Sequence, residues 1–393
     1  NRVQAYAWGA VDGMATLVGS APTGGPEAEL WVGTHPAAPS LVANDPAGRT
    51  LAEVIAVDPR RWLGPELAAA GYTALPFLLK VLAVGAPLSL QAHPSAEQAQ
   101  AGWLREESAG LAIDAPERTY RDASPKPEAL VALDTTWALC GFREPLEVAN
   151  LLAGLDVEAF EPLIAVLSSP GGDGLRTVLS WLLSQKGASR TAVADAVAAS
   201  VRRLRSNDPS DPRLWVKRLA AAFPGDPTAV APLLLQLVRL EPGDAVHLPA
   251  GNLHAYLSGA GIEIMAASDN VLRGGLTPKH IDVSELLAVL RFEPGIPPGP
   301  VAKDLGDGVT TYDAGESAFA LAVIAPRSEP VVIEPAGPSL LLATGGDVDL
   351  VGVDGGLTMV GGDAAFVAPG EGPISVSGAG RLWWATTGDA LPA

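Results

Sequence analysis

The chain changes texture twice, and those two changes constrain its fold more than any single motif does. To about residue 140 the sequence is mixed: short apolar runs such as Glu29–Val32 and Pro76–Val84 are bounded by Gly and Pro, as strands are. Helical candidates lie between them, Thr50–Val57 and Ser95–Glu107, the second with Ser95 placed to cap and Gln98 three positions on. From about Glu144 to Leu235 periods of three and four take over, as in Val178, Leu179, Leu182, Leu183 and in Val193, Val197, Val201, Leu204. That spacing predicts several amphipathic helices joined by loops such as Ser168–Gly174 and Ser206–Pro212. From about Gln236 strand texture returns, with short runs at Leu240–Gly243, Ala245–Pro249, Ala255–Leu257 and Ile262–Ala266. Beyond Pro300 eight more runs follow, from Ala318–Ile324 to Arg381–Thr386. Their even spacing, with Gly-rich turns, predicts an antiparallel sandwich or barrel. A mixed, mainly β protein with an inserted helical region is expected.

Charge and cysteine usage narrow the function. The net charge is −18 over 393 residues, which argues against a nucleic-acid partner, because a phosphate backbone needs surplus Lys and Arg. A single cysteine cannot form an internal disulfide or build a thiolate zinc site. No apolar run reaches the roughly 18 residues of a membrane span, and no charged segment followed by an apolar one opens the chain. A cytoplasmic monomer that does not touch membranes is the expectation.

Histidine is scarce, five in all, so its placement is informative. In Gly85-Ala-Pro-Leu-Ser-Leu-Gln91-Ala-His93-Pro94 a strand would project Gln91 and His93 from one face. In Gly243-Asp244-Ala-Val-His247-Leu-Pro249-Ala-Gly251-Asn-Leu-His254 two turns precede a strand that begins at His254. The pair resembles the two signature motifs of the cupin superfamily, with Gln91 where the first motif has its first histidine. In that family the motifs meet inside a small β-barrel and hold a divalent ion. Ser124-Pro125-Lys126-Pro127-Glu128 supplies a carboxylate on a proline-stiffened approach. Two His, one Glu and one Gln suit zinc, with Mn, Fe and Co as alternatives.

Further segments make the resemblance specific to the type I mannose-6-phosphate isomerases (phosphomannose isomerases). They are Tyr6-x-Trp8-Gly9, Glu29-Leu-Trp31-Val-Gly33-Thr34-His35-Pro36, Leu75-Pro-Phe77-Leu-Leu-Lys80, Leu88 to Pro94, Lys126-Pro-Glu128, His254-Ala-Tyr256, and Ser268-Asp269-Asn270-Val-Leu-Arg273 on to Lys279. They run in the family's order over about residues 1–290. The resemblance implies one zinc ion on Gln91, His93, Glu128 and His254, Arg273 as the catalytic arginine, and interconversion of mannose 6-phosphate and fructose 6-phosphate. It also implies two cupin-like β-barrel or jelly-roll domains with an inserted α-helical domain. The metal-bearing domain would comprise 1–143 with 236–298, the helical domain 144–235, and a metal-free cupin-like domain 299–393. One departure stands out: the family has a histidine directly before the lysine of Lys-Pro-Glu, and here that position is Pro125.

Moving a proton between C1 and C2 needs a base and stabilisation of enediolate oxygens. Lys126, Glu263 and Asp269 are the candidate bases, with Arg273 meeting the enediolate or orienting the sugar. Lys279, Arg273 and Ser89 are candidates for the phosphate, and Trp8 and Tyr256 for stacking on the ring. His247 reads as structural, His280 as solvent-facing or capping, and Cys140 as an inert thiol. The rival readings are a non-catalytic sugar-binding cupin, an iron-dependent oxygenase, and an isomerase of a related aldose.

Overall fold

A computed structural model describes residues 1–169, 172–326 and 329–391; residues 170–171 of the expected Ser168–Gly174 loop lie outside it. The architecture is mixed, with four antiparallel sheets and a helical region. The largest sheet has ten strands. Its principal path runs Arg2–Gln4, Glu29–Val32, Phe77–Val84, His254–Ala266, Leu90–Ala92, Leu272–Gly275.

The spine of that sheet differs from its sequence expectation. Ala255–Leu257 and Ile262–Ala266, expected as two strands across a turn, belong to one 13-residue strand, His254–Ala266. The glycines between them mark close approaches rather than a reversal. A Cβ on Gly259, whose φ is +116°, would sit 2.3 Å from Thr136 Oγ1, and one on Gly261 would sit 2.7 Å from Leu130 Cγ. The register shifts between Tyr256 and Ser258. Near its start this strand pairs with Gln91 and with Thr136–Phe142; farther on it pairs with Phe77–Val84 and Glu128–Ala132. Leu240–Gly243 is also not a strand of its own. Leu240 ends the strand Leu235–Leu240, and Glu241–Asp244 form the turn, closed by Asp244 N–H on Glu241 O at 2.8 Å.

Alternation along three neighbouring strands sends one set of side chains to a cavity and the other to a core. Leu30, Val32, Leu79, Val81, Ile262 and Ile264 join Phe319, Leu321, Leu340, Leu342 and Trp383 of the C-terminal sheets in one cluster. Glu29, Trp31, Leu78, Lys80, Leu82 and Glu263 line the cavity. The C-terminal six-stranded sheet alternates likewise. Leu341, Ala343 and Trp384 face inward to Ile324, Val331, Val348 and Val376.

The helices Pro145–Ala153, Glu161–Leu167, Gly174–Ser184, Gly187–Val201 and Pro212–Ala222 bury their apolar faces with Leu90, Leu139, Leu257 and Leu272 of the large sheet. The Thr50 and Ser95 caps form as reciprocal boxes with Glu53 and Gln98. Among the elements that escaped sequence reasoning are the strands Glu128–Ala132 and Thr136–Phe142, the helix Val283–Val289 and the hairpin Val301–Gly306 with Val309–Asp313. The first of the hairpin strands is largely exposed, so it carries no apolar alternation to read.

Candidate metal centre and its cavity

Glu128 opens the strand Glu128–Ala132 directly after Pro127, with Met265 and Leu248 as its cross-strand partners. His254 opens its own strand, paired with Gln91. His93 follows the strand that carries Gln91. These placements bring one ligand atom each from His93, Glu128 and His254 to within 4.8 Å of one another, all buried. His93 Nε2 lies 3.3 Å from Glu128 Oε1, and His254 Nε2 lies 3.5 Å from Glu128 Oε2.

The tautomers are set from behind. His93 Nδ1–H donates to Asn270 O at 2.8 Å, and His254 Nδ1–H donates to Asn252 O at 3.1 Å. A carbonyl only accepts, so in the neutral rings Nε2 carries the lone pair, and both lone pairs face the carboxylate. Burial pushes His93 below the ordinary histidine pKa, against the pull of Glu128. His93 Nε2, Glu128 Oε2 and His254 Nε2 are three of the four buried side-chain polar atoms without a hydrogen-bond partner among the described residues; Tyr256 OH is the fourth. Unpartnered buried atoms of this kind are costly unless something fills the space between them. Two neutral imidazoles oriented by carbonyls, with a carboxylate, are a donor set that fits a divalent cation. Gln91 is half-buried and lines the adjoining cavity.

That cavity has a volume of about 1260 Å³. Ten of the twelve residues singled out in the sequence line it: Gln91 and Glu128, then Lys126, Glu263, Asp269 and Arg273, then Trp8, Ser89, Tyr256 and Lys279. His93 and His254 stand behind its wall, fully buried. Lys126 is buried, with Nζ 3.2 Å from Glu128 Oε1. Asp269 Oδ1 lies 3.1 Å from His35 Nε2, and that bond holds its carboxyl below the usual range despite partial burial. Arg273 approaches Ser89 Oγ at 3.5 Å. Trp8 stacks on Tyr6, with ring centroids 5.9 Å apart. His247 bonds Glu316 at 2.9 Å, joining the large sheet to the C-terminal region, and Cys140 is buried against Asn252. His280 is exposed at the cavity's edge.

Sequence reasoning assigned no role to Lys80 or Glu29. Trp31, Lys80 and Glu263 are successive cross-strand partners on three adjacent strands. Lys80 Nζ sits 3.5 Å from Glu263 Oε2, 3.7 Å from Glu29 Oε2 and 4.9 Å from the Trp31 ring centroid. Trp31 Nε1–H donates to Glu29 at 2.5 Å. Burial opposes the Lys80 charge, but Glu29, Glu263 and Glu128 outweigh it and raise its pKa. Burial pushes Glu263 up to about 7, with Lys80 pulling it down and Glu128 and Glu29 pushing it up. A lone lysine inside the apolar run Phe77–Val84, in a chain with few lysines, was the available signal.

The departure at Pro125 has a local counterpart. Asn270 is fully buried; its Oδ1 accepts from Arg121 N–H at 2.7 Å, and its Nδ2 donates to Ser124 O at 2.9 Å. Ser268 Oγ–H reaches the Asp122 carboxylate at 2.9 Å. The backbone leading to Lys126 and Glu128 is therefore tied down without a histidine side chain.

Residues 1–145 match the catalytic domain of phosphomannose isomerase type I. Mannose-6-phosphate isomerase of Escherichia coli (strain K12) is 35% identical over 387 residues, 97% of either chain. The Mus musculus mannose-6-phosphate isomerase is 36% identical over 322 residues, 74% of this chain and 72% of the mouse protein. A crystal structure of mannose 6-phosphate isomerase bound with zinc and yttrium superposes with a TM-score of 0.90 at 33% identity, covering 98% of each chain.

Proposed function

The chain belongs to the type I phosphomannose isomerase family, and on that premise we propose that it interconverts D-mannose 6-phosphate and D-fructose 6-phosphate with one zinc ion at His93, Glu128, His254 and Gln91. The observation that carries the reading is the set of orphaned, lone-pair-bearing atoms of His93, Glu128 and His254 beside a cavity with a carboxyl of pKa about 7. Zinc, when bound, supplies Lewis-acid stabilisation of negative charge at the sugar's O1/O2 end.

Glu263 is the base that carries the proton between C1 and C2. Asp269 is bonded to His35 and is the weaker base, and Lys126 is committed to Glu128. A carboxylate with a pKa near the working pH is present in useful amounts in both forms, as a group that takes a proton at one carbon and returns it at the next requires. Lys80 holds Glu263 in place and stabilises its ionised form. Arg273 orients the substrate, and Tyr256 OH, buried and unpartnered, is free to donate to the sugar. Trp8 borders the ring, and Lys279 and Ser89 serve the phosphate. The cavity is lined chiefly by a metal-binding unit of residues 1–143 with 236–298, with Ala222 and Phe223 of a helical unit 144–235 at its wall and a metal-free unit 299–393 beside it.

A cytoplasmic monomer that takes no nucleic acid is part of the proposal, and the −18 charge supports the last of these. Among the described residues no helix is long and apolar enough to cross a membrane. Dialysis against a chelator abolishes interconversion of the two sugar phosphates, and zinc restores it. Turnover that persists in protein shown to be metal-free would overturn the proposal.

A further inference from the structure

Across the large sheet the cavity changes electrostatic sign. Glu29 and Glu263 lie on the strands Glu29–Val32 and His254–Ala266, with Lys80 between them. Beyond them come Gln91 and then, on the last strand of the path, Arg273. Lys279 follows that strand, and Arg121 reaches the same cavity from the segment before Glu128. Among the described residues, neither Arg121 nor Arg273 nor Lys279 has a carboxylate within ion-pairing distance. Asp269, the acid nearest in sequence to Arg273, bonds His35 and feels Arg121 only beyond ion-pairing distance.

Two of the cations feel the charge of their neighbours. Burial lowers the Arg273 pKa, and Arg121 lowers it further. Arg273 is the largest influence lowering Lys279, followed by burial and then Arg121. Arg273 is half-buried, Arg121 and Lys279 are exposed at the same cavity, and in a protein of net charge −18 carboxylates that could pair with them are plentiful. The arrangement is relieved by a dianion bound among them.

We infer that Arg121 is a substrate-anchoring residue, the third cation of a phosphate clamp formed with Arg273 and Lys279. This rests on the sugar-phosphate reading above and adds to it a residue with no assigned role there. The backbone under Arg121 is rigid: its N–H and that of Asp122 both donate to Asn270 Oδ1, at 2.7 and 3.3 Å, and Asn270 O accepts from His93. One buried asparagine thus ties the anion-binding segment to a metal ligand, so the two ends of the substrate are held in a fixed relation. The guanidinium itself makes one hydrogen bond, from Nη1 to Ile113 O at 2.7 Å, leaving its other donors available.

The clamp is tested on the zinc-loaded enzyme with Arg121→Ala and Arg121→Lys. The anchoring bonds run through the Arg121 backbone, so side-chain removal leaves the segment in place. Loss of one charge-assisted contact raises KM for mannose 6-phosphate about tenfold, with a smaller effect on kcat. The rise in unfolding temperature produced by inorganic phosphate shrinks in parallel. Arg121→Lys recovers most of both, and the differences narrow at high ionic strength. Unchanged KM and an unchanged phosphate-induced shift in Arg121→Ala overturn the inference. Wild-type protein that phosphate stabilises through Arg121, but that does not isomerise the sugar phosphate, leaves the clamp standing and removes the reaction.

Discussion

Lys80 Nζ and Glu263 Oε2 face each other at 3.5 Å across two adjacent strands, both side chains buried beside the cavity. The pair sets the protonation of the group assigned as the base. Without Lys80, burial together with Glu128 and Glu29 would hold Glu263 as a neutral acid.

That relationship predicts a pH effect with a definite sign. With Glu263 as the proposed base its ionised form is the active one, so kcat/KM falls as pH drops through about 7, and zinc, adding positive charge, moves that limb downward. Lys80→Met removes the influence that lowers Glu263, so the acid limb moves to higher pH. Glu263→Gln lowers kcat by roughly 10²–10⁴-fold while retaining zinc. A limb unmoved in Lys80→Met would show that another group titrates.

The same pair affects stability. The folded-state pKa of Glu263 is raised above its unfolded value, so its contribution is full below the unfolded pKa and is lost as pH rises through about 7. In metal-free protein, Glu263→Gln therefore weakens the pH dependence of the unfolding midpoint between pH 4.5 and about 7.

Metal and arginine variants separate two roles. His254→Ala loses both zinc and activity, measured by metal analysis and turnover. Arg273→Ala keeps zinc and loses activity. Loss of zinc in Arg273→Ala would mean that the arginine supports the ligands instead.

Gly259→Ala tests the continuous strand. The new methyl meets Thr136 at 2.3 Å on a backbone with φ of +116°, so a destabilisation of about 3 kcal/mol is expected. Thermal unfolding reads it directly, and a midpoint equal to wild type would contradict the packing.

Residues 1–298 expressed alone should aggregate. Removing the C-terminal sheets uncovers Leu30, Val32, Leu79, Val81, Ile262 and Ile264, which share their cluster with Leu340, Leu342 and Trp383. Trp383→Ala in the full chain should cost about 3–5 kcal/mol. A soluble, cooperatively folding 1–298 fragment would show that the shared core is dispensable.

Legibility followed how local each signal was. The Ser95 cap depends on residues three apart and was readable; the Thr50 cap, built the same way, was not read. So was the helical tract, whose period survives because each helix buries one face. The strand Val301–Gly306 buries neither face, so alternation vanishes from its sequence, whereas Phe77–Val84, buried on both faces, was readable as a continuous apolar run. The glycines at 259 and 261 read as a turn because their partners, Thr136 and Leu130, come from distant sequence.

By itself the sequence determined the donor types at the metal centre, the helical insertion and the family resemblance, since each is written in spacings of a few residues. Tertiary structure alone decided that Lys80 stands between Glu29 and Glu263, and that Arg121 joins Arg273 and Lys279 around one cavity. Those juxtapositions follow from strand register, and the register is set by packing one face of the sheet against the C-terminal sheets while the other is left to the cavity.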